Sequence, residues 1–287
     1  MGFAAAIAGR LRSLTTRALY GAARDEMAVE IKSKAEIEKM RATCRLAASV
    51  LEFIEPHVVP GVTTGELDRL CHEYILKHGA YPSPLNYKGF PKSICTSVNE
   101  VICHGIPGKR ELKAGDIINL DITTTLDGYF GDCSDMFVVG GSTTPEAQKL
   151  IDVTRESLWI GIAEVAPGKQ VGDIGAAISE YAGKQHGYGV VEAFCGHGIG
   201  REFHMPPQVS HVGKRGVGLR LKSGMTFTIE PMINLGSKHC DILSDGWTAV
   251  TQDKKWSAQA EHTILVTETG HEVLTLRAGG FRPKWAS

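Results

Sequence analysis

The chain has 287 residues, of which 43% are apolar and 22% are charged. These proportions are typical of a soluble globular protein and exclude a disordered chain, a collagen-like chain and a small disulfide scaffold. The 31 basic and 32 acidic side chains give a formal net charge of −1, so the chain lacks the basic excess of a dedicated nucleic-acid binder. No apolar run approaches the ~20 residues that span a bilayer, and we expect no membrane segment.

Residues 1–26 differ in composition from the rest of the chain. Up to Arg24 they contain four arginines and no acidic residue, and their apolar residues recur at helical spacing. This composition is typical of an organellar transit peptide. A native start at Met27 would instead make the segment a translated upstream artefact. Both interpretations stay open at this point, and under both we predict that residues 1–26 stand outside the fold.

Helical periodicity and capping residues predict four helices along the chain. The first ends before Pro56, and Thr63 or Thr64 is the candidate cap of the second. Residues 81–91, rich in proline, glycine and aromatic side chains, predict an ordered loop. Short β-runs fill most of the remaining chain. The predicted helices are residues 34–55, 65–77, 145–165 and 171–185.

A predicted β-hairpin places two carboxylates on one face. The β-runs on either side of Asp127-Gly128 indicate a two-residue turn. With this turn Asp121 lies opposite Ser134, and Asp132 is a diagonal neighbour of Asp121 on the same face, ~7–8 Å away at the backbone. Two carboxylates this close repel each other unless a cation or a proton lies between them. A solvated acidic hairpin, or a register shifted by one residue, is the alternative.

Three later motifs offer further candidate ligands. His197 lies between two glycines, which allow a ligand or another backbone to approach closely, and His204 follows seven residues later as a weaker candidate. Glu230 ends a β-run that Pro231 stops, and Glu261 begins another β-run. An acidic side chain inside an apolar strand needs a partner, because burial of an unpaired charge is prohibitively costly.

Together these motifs supply four carboxylates and one imidazole. Two divalent cations would neutralise four carboxylates, and two metals ~3.5–4 Å apart are a known arrangement for activating water. Oxygen-rich ligation with one imidazole suits Mn, Fe, Co or Zn. The candidate metal ligands are therefore Asp121, Asp132, His197, Glu230 and Glu261.

The same residues lie in motifs that resemble the type I methionine aminopeptidases of the M24-type metallopeptidase family. The resemblance covers about residues 30–276, and the 25 residues between His204 and Glu230 leave little room for the helical insert of type II members. The extra N-terminal domain of prolidase and aminopeptidase P relatives does not fit in residues 1–26. Seven motifs occur in the family's order: Gly89–Cys95, Asn99–Pro107, Asn119–Asp121, Gly131-Asp132, Cys195–His204, Thr226–Met232 and Ala258–Thr263.

The resemblance implies a pita-bread α/β (α+β) fold. In that fold two pseudo-symmetric halves, each of antiparallel strands backed by helices, surround a dimetal cleft. We therefore predict a catalytic domain over residues 27–280 and a C-terminal tail over residues 281–287. The implied activity is removal of the initiator methionine from nascent proteins and peptides with a small second residue.

The resemblance also implies the roles of the metal ligands. Asp121 would chelate one metal, His197 and Glu230 would bind the other, and Asp132 and Glu261 would bridge both. A hydroxide held between the two cations would attack the carbonyl carbon of the N-terminal methionine itself.

Two further histidines and an aromatic pocket complete the implied site. His104 would contact the scissile amide nitrogen or the substrate amine, His204 would stabilise the oxyanion, and Glu230 would help to move the proton. Pro84 and Ala260 depart from residues common in the family, and the sequence leaves their effect on the shape of the pocket open. The residues expected around the methionine side chain are Tyr87, Phe90, Phe203 and Trp247.

The implied partners are the N-terminal methionine of nascent polypeptides and, transiently, the ribosome, with a monomer as the family default. The implied compartment is the cytoplasm, or a mitochondrion or plastid if residues 1–26 are a transit peptide. An alternative is a pita-bread binding protein, associated with ribosomes or RNA, that lacks peptidase activity. Retention of all five ligand positions argues against this alternative. A dimetal phosphoesterase is disfavoured because no phosphate-binding loop flanks the motifs.

Overall fold

The computed structural model describes residues 29–286. The predicted leader, residues 1–26, lies outside the described residues. Within the described range the chain combines α-helices with short strands that pair antiparallel. The α-helices are α1 (Lys34–Ile54), α2 (Thr64–Lys77), α3 (Pro145–Ala163) and α4 (Val171–Ile178).

The first two helices begin and end where the sequence predicts. Ser33 and Glu36 form a capping box at the start of α1, in which each side chain accepts a hydrogen bond from the backbone N–H of the other. The helix ends at Ile54, before Pro56, and a short 3₁₀ turn follows. Thr63 caps α2 by accepting the N–H of Glu66.

The predicted helix over residues 171–185 is α-helical in its first half and a π-helix from Ser179 to Gln185. The Ser179 hydroxyl donates hydrogen bonds to the carbonyl oxygens of Gly175 and Ala176, at 2.7 and 3.3 Å. These bonds compete with the backbone hydrogen bonds of the α-helix. The competition favours the wider π-helical turn at this point.

The strands form four sheets. In the first, β4 pairs with β5 on one edge and with β1 and β2 on the other; the remaining sheets have the orders β15-β14-β9-β7-β8, β13-β10-β6 and β11-β12-β3. The strands are β1 (Tyr81–Pro82), β2 (Cys95–Val98), β3 (Val101–Cys103), β4 (Ile117–Leu126), β5 (Tyr129–Val138), β6 (Gly189–Val190), β7 (Gly196–Gly198), β8 (Met205–Val209), β9 (Thr226–Ile229), β10 (Met232–Asn234), β11 (Cys240–Ile242), β12 (Ala249–Thr251), β13 (Ser257–Gln259), β14 (His262–Val266) and β15 (His271–Val273).

The hairpin β4–β5 has the predicted register. Asp127 and Gly128 both adopt positive φ, 51° and 79°, as the two-residue turn requires. Asp121 pairs with Ser134, so Asp121 and Asp132 lie on the same face. Asp132 is 4% exposed, and the solvated acidic hairpin is therefore excluded.

Two hydrophobic cores flank the hairpin. One packs α1 and α2 against β2 and β4, and the other packs α3 and α4 against β9 and β14. This arrangement confirms the expected fold of helices backing antiparallel strands. Within residues 29–286, no helix is both long enough and apolar enough to cross a lipid bilayer.

Candidate active site

A cleft of about 270 Å³ opens where the β4–β5 hairpin approaches strands β7, β9 and β14. Every site residue proposed from the sequence lines this cleft, although the motifs are spread over more than half of the chain. Those eleven residues are Tyr87, Phe90, His104, Asp121, Asp132, His197, Phe203, His204, Glu230, Trp247 and Glu261.

Asp132 is held firmly on β5. The Thr123 hydroxyl donates a hydrogen bond of 2.8 Å to Oδ1 of Asp132, which leaves Oδ2 facing the cleft. The Thr263 hydroxyl donates to the backbone carbonyl of Asp132 at 2.7 Å, which ties β5 to β14. Oxygen or nitrogen atoms of Asp132, His197 and Glu261 all lie within 4.8 Å of one another. Three donor side chains are thus gathered around one small volume.

His197 depends on its glycine neighbours for its position in β7. A Cβ atom on Gly196 would collide with the carbonyl oxygen of Thr228, and one on Gly198 would collide with that of Pro206. The glycines therefore allow β8 and β9 to approach β7 closely. Of the two possibilities that the sequence left open, a ligand or another backbone segment, the structure shows the backbone of the neighbouring strands.

The imidazole of His197 presents a free lone pair to the carboxylates. Its Nδ1 lies 3.1 Å from the carbonyl oxygen of Gly198, which can only accept a hydrogen bond, so Nδ1 carries the proton. Nε2 then faces Oδ2 of Asp132 and Oε1 of Glu230, each at 3.7 Å. Burial lowers the pKa of His197 to about 4, so the ring is neutral at physiological pH and suited to bind a metal.

The two glutamates lie where strands end. Thr228 and Gln259 donate hydrogen bonds to the two carboxylate oxygens of Glu230, at 2.8 and 3.3 Å. The backbone N–H of Glu261 donates to the carbonyl of Ser134 on β5 at 3.0 Å. Among the described residues, the buried Oε1 of Glu261 has no hydrogen-bond partner. A buried carboxylate oxygen without a donor is costly, and a cation would satisfy it.

The protein alone does not stabilise four ionised carboxylates at this site. Burial raises the pKa of Asp121 to about 7 and that of Glu230 to about 8. Burial and neighbouring carboxylates raise the pKa values of Asp132 and Glu261 well above their ordinary range. Divalent cations would offset this repulsion and hold all four groups ionised. The donor set of carboxylate oxygens and one neutral imidazole fits such ions.

His204 lies beside the cluster and is oriented by Tyr87. The Tyr87 hydroxyl and Nδ1 of His204 form a hydrogen bond of 3.0 Å. The centroids of the His197 and His204 rings are 4.1 Å apart. Burial, with a smaller contribution from His197, lowers the pKa of His204 to about 3. Both imidazoles are therefore neutral at physiological pH.

His104 lines the cleft just after strand β3. Its backbone has a φ of 56°, in the left-handed region that histidine adopts more readily than most residues. A Cβ atom on the following Gly105 would collide with the carbonyl oxygen of Thr96, so the chain needs glycine there. The His104 ring contacts Phe194 and Trp247 edge to face, at centroid distances of 5.5 and 6.4 Å.

Aromatic side chains surround one end of the cleft. Phe90 and Trp247 contact each other edge to face at 5.2 Å, and Tyr87 and Phe203 are 4.8 Å apart. An apolar, aromatic pocket of this kind suits a thioether side chain.

Of the two departures noted in the sequence, Pro84 lines this cleft. Ala260 does not line it: its side chain is 3% exposed and packs into the core of α3 and α4, behind Glu261. Ala260 therefore does not contact the pocket, because its neighbour Glu261 takes the position that faces the cleft.

Three lining residues escaped the sequence-based prediction: Lys88, Cys95 and Thr123. Thr123 follows Asp121 by two residues on β4, and the strand period would have placed both on one face. Cys95 pairs with Asp121 across β2 and β4, which required knowledge of the strand partner. Lys88 lies in the loop over residues 81–91, where no pattern indicates side-chain direction.

The comparisons with known proteins agree with this geometry. The chain is 56% identical over 249 residues to methionine aminopeptidase A of Synechocystis, covering 86% of this chain and 98% of that protein. A crystal structure of methionine aminopeptidase from Rickettsia prowazekii superposes with a TM-score of 0.85 at 52% identity, covering 86% of this chain and all of that one. The corresponding enzyme structure from Thermotoga maritima gives a TM-score of 0.84 at 38% identity, covering 86% and 99%.

These structural matches confirm the pita-bread fold predicted from the sequence. The sequence profile of metallopeptidase family M24 matches residues 38–268, which include all five candidate metal ligands and both candidate catalytic histidines. The chain belongs to metallopeptidase family M24.

Proposed function

We propose that this chain is a methionine aminopeptidase, which removes the N-terminal methionine from nascent proteins and peptides with a small second residue. The observation that carries the proposal is the convergence of four carboxylates, three of them buried, and the neutral His197 beside an aromatic pocket. The relatives named methionine aminopeptidase, at 51–56% identity over nearly their whole length, support the same activity.

Two divalent cations, drawn from Mn, Fe, Co or Zn, are the proposed cofactors. Their four positive charges balance the four carboxylates. Asp121 would help to hold one cation, His197 and Glu230 would help to hold the other, and Asp132 and Glu261 would contribute to both. When bound, such ions supply Lewis acidity that lowers the pKa of water and polarises a carbonyl group.

Glu230 is the proposed proton carrier. As a carboxylate that lines the cleft, it can accept a proton from water and release it to the leaving amine. Thr228 and Gln259 fix its two oxygens, and the carboxylate therefore keeps one orientation as the proton moves from the attacking water toward the leaving amine.

His204 is the proposed oxyanion stabiliser. To donate a hydrogen bond from Nε2 to the substrate carbonyl oxygen, its ring must carry the proton on Nε2 and accept at Nδ1. The Tyr87 hydroxyl can donate to Nδ1, which selects this tautomer. His104, which also lines the cleft, is the proposed contact of the scissile amide nitrogen or the free amine of the substrate.

The aromatic end of the cleft is assigned to the methionine side chain, which Tyr87, Phe90, Phe203 and Trp247 would enclose. We assign the catalytic domain to residues 27–280 and expect it to act as a monomer in transient contact with the ribosome.

The test is hydrolysis of the peptide Met-Ala-Ser by chelator-stripped protein, with Mn, Fe, Co or Zn added back singly. Release of free methionine that depends on the metal, without release of leucine from Leu-Ala-Ser, would support the proposal. Folded protein that releases no methionine with any metal would refute it and favour a binding protein on the same fold.

A further inference from the structure

His211 is a fully buried histidine outside the cleft, in the segment that follows β8, and its exposed fraction is 0%. The backbone N–H of Glu230 donates a hydrogen bond of 3.1 Å to its Nε2. An Nε2 that accepts a hydrogen bond carries no proton, so the ring is neutral and protonated on Nδ1. Within residues 29–286, Nδ1 has no hydrogen-bond partner. The His211 ring therefore accepts one hydrogen bond through Nε2, while its buried Nδ1–H stays unpaired among these residues.

The position of Glu230 explains why that acceptor is needed. Strand β9 pairs with β14 as far as Ile229, so the ladder ends one residue before Glu230. The next residue, Pro231, has no N–H group. The N–H of Glu230 would be buried without a partner if Nε2 of His211 were absent.

The segment that carries His211 is itself firmly placed. Hydrogen bonds join the Ser210 side chain to the N–H and carbonyl of Val212 and form a tight turn around His211. A Cβ atom on Gly175 of α4 would collide with this turn. Close packing of α4 therefore fixes the turn, and the turn fixes the imidazole.

We infer that His211 is a positioning residue: by holding the Glu230 backbone at the end of β9, it sets the place of the Glu230 carboxylate in the metal site. This inference rests on the proposed role of Glu230 as a metal ligand. Thr228 and Gln259 orient the two carboxylate oxygens, and His211 adds the restraint on the main chain from which that side chain extends.

The first test compares Mn²⁺ affinity, measured by calorimetry, in chelator-stripped wild-type protein and three variants. In His211→Gln, the amide oxygen replaces Nε2 as acceptor, whereas His211→Asn is too short to reach and His211→Leu has no acceptor. We expect the Gln variant to stay near wild-type affinity, and the Asn and Leu variants to bind about 10–100-fold more weakly, the range typical of groups that support metal ligands. The matched control is His72→Leu, which removes a His–Ser93 hydrogen bond elsewhere.

Three outcomes separate the alternatives. Wild-type protein that binds none of Mn²⁺, Fe²⁺, Co²⁺ and Zn²⁺ would contradict the proposed function. Wild-type binding with equal affinity in the Asn and Leu variants, even if these melt at lower temperature, would overturn the role of His211 alone. Loss of affinity in all three variants, Gln included, would also overturn it, because the acceptor would then not be what matters.

A second test needs no variant. In wild-type protein labelled with ¹⁵N-histidine, two-bond proton–nitrogen correlations report which ring nitrogen carries the proton. We expect His211 to be protonated on Nδ1. A ring protonated on Nε2 would overturn the inference, because it could not accept the N–H of Glu230.

Discussion

Glu230 and Glu261 lie in two short segments that face each other, residues 230–231 between β9 and β10 and residues 260–261 between β13 and β14. At each segment the backbone leaves one sheet and enters another. Ile229 pairs with His262 in the five-stranded sheet, and Met232 pairs with Gln259 in the three-stranded sheet. The two glutamates thus occupy a shared break between the ladders. Side chains at such a break are free of the strict alternation of a strand, so both carboxylates can turn toward the β4–β5 hairpin.

Replacing Asp132 by asparagine is expected to reduce methionine release at least about 100-fold, since loss of a direct ligand should exceed the upper range for supporting groups. Asparagine has the same size and can still accept the Thr123 hydroxyl bond, so the fold should persist. Turnover with saturating Mn²⁺ measures the effect, and near-ultraviolet circular dichroism checks the fold. A variant that keeps most of its turnover would remove Asp132 from the metal site.

His204→Ala is expected to lower kcat about 100–1000-fold, the range for removing one donor to an oxyanion. Mn²⁺ affinity should be nearly unchanged, because His204 is not a proposed ligand. Tyr87→Phe should lower kcat less, about 2–10-fold, since it removes one neutral hydrogen bond to Nδ1. Unchanged turnover in His204→Ala would exclude this residue from the mechanism.

Trp247→Ala is expected to raise KM for Met-Ala-Ser about fivefold, because the thioether loses an aromatic contact worth ~1 kcal/mol. The same change opens the wall formed by Phe90 and Trp247, so discrimination against Leu-Ala-Ser should weaken. Steady-state kinetics on both peptides measure the effect. Trp285→Ala, at an exposed tryptophan that does not line the cleft, is the control and should change neither the KM for Met-Ala-Ser nor the discrimination against Leu-Ala-Ser. A KM that stays constant in Trp247→Ala would place the methionine side chain elsewhere.

Asp135→Asn is expected to destabilise the protein by about 3 kcal/mol, because the partly buried Arg155 loses its carboxylate partner and the partly buried Arg277 keeps only that of Glu55. Asp135 lies on the opposite face of β5 from Asp132 and pairs with Arg155 and Arg277. Burial raises the pKa of Asp135, but the two arginine charges outweigh burial and hold it below its ordinary value.

The sign of this shift fixes the pH dependence. The stability that ionised Asp135 contributes is complete above pH ~4, the pKa of aspartate in an unfolded chain, and is lost as the pH falls through the lower pKa of the folded state. Urea unfolding at pH 7 and below pH 4 should therefore show a difference between wild type and variant that shrinks in acid. Glu272→Gln, at a partly exposed pair with Arg41, is the control and should cost no more than about 1 kcal/mol. Equal stability of Asp135→Asn and wild type at pH 7 would contradict the prediction.

Local signals in the sequence were sufficient to predict the β4–β5 hairpin and the first two helices. Asp127-Gly128 specifies its turn through two positive φ angles, and the turn sets the register that brings Asp121 and Asp132 to one face. Ser33 and Thr63 likewise cap their helices through hydrogen bonds to residues three positions away. Each of these features depends on neighbours in sequence.

Long-range contacts explain what the sequence could not show. The pairing of Glu261 with Ser134 joins residues 127 positions apart, and it decides that Glu261 faces the cleft while Ala260 faces the core. The acceptor role of His211 depends in the same way on where β9 ends in its sheet. The motifs of the family indicated which residues meet, whereas the breaks between sheets explain how they meet.

The central claim is that Asp121, Asp132, His197, Glu230 and Glu261 hold two metal ions in one cleft. The most direct test is an anomalous difference map from crystals of active protein grown with Mn²⁺ and measured at the manganese edge. Two peaks in the cleft, with Asp132 and Glu261 in contact with both, are the expected result. A map of active crystals without a peak among these five side chains would contradict the claim.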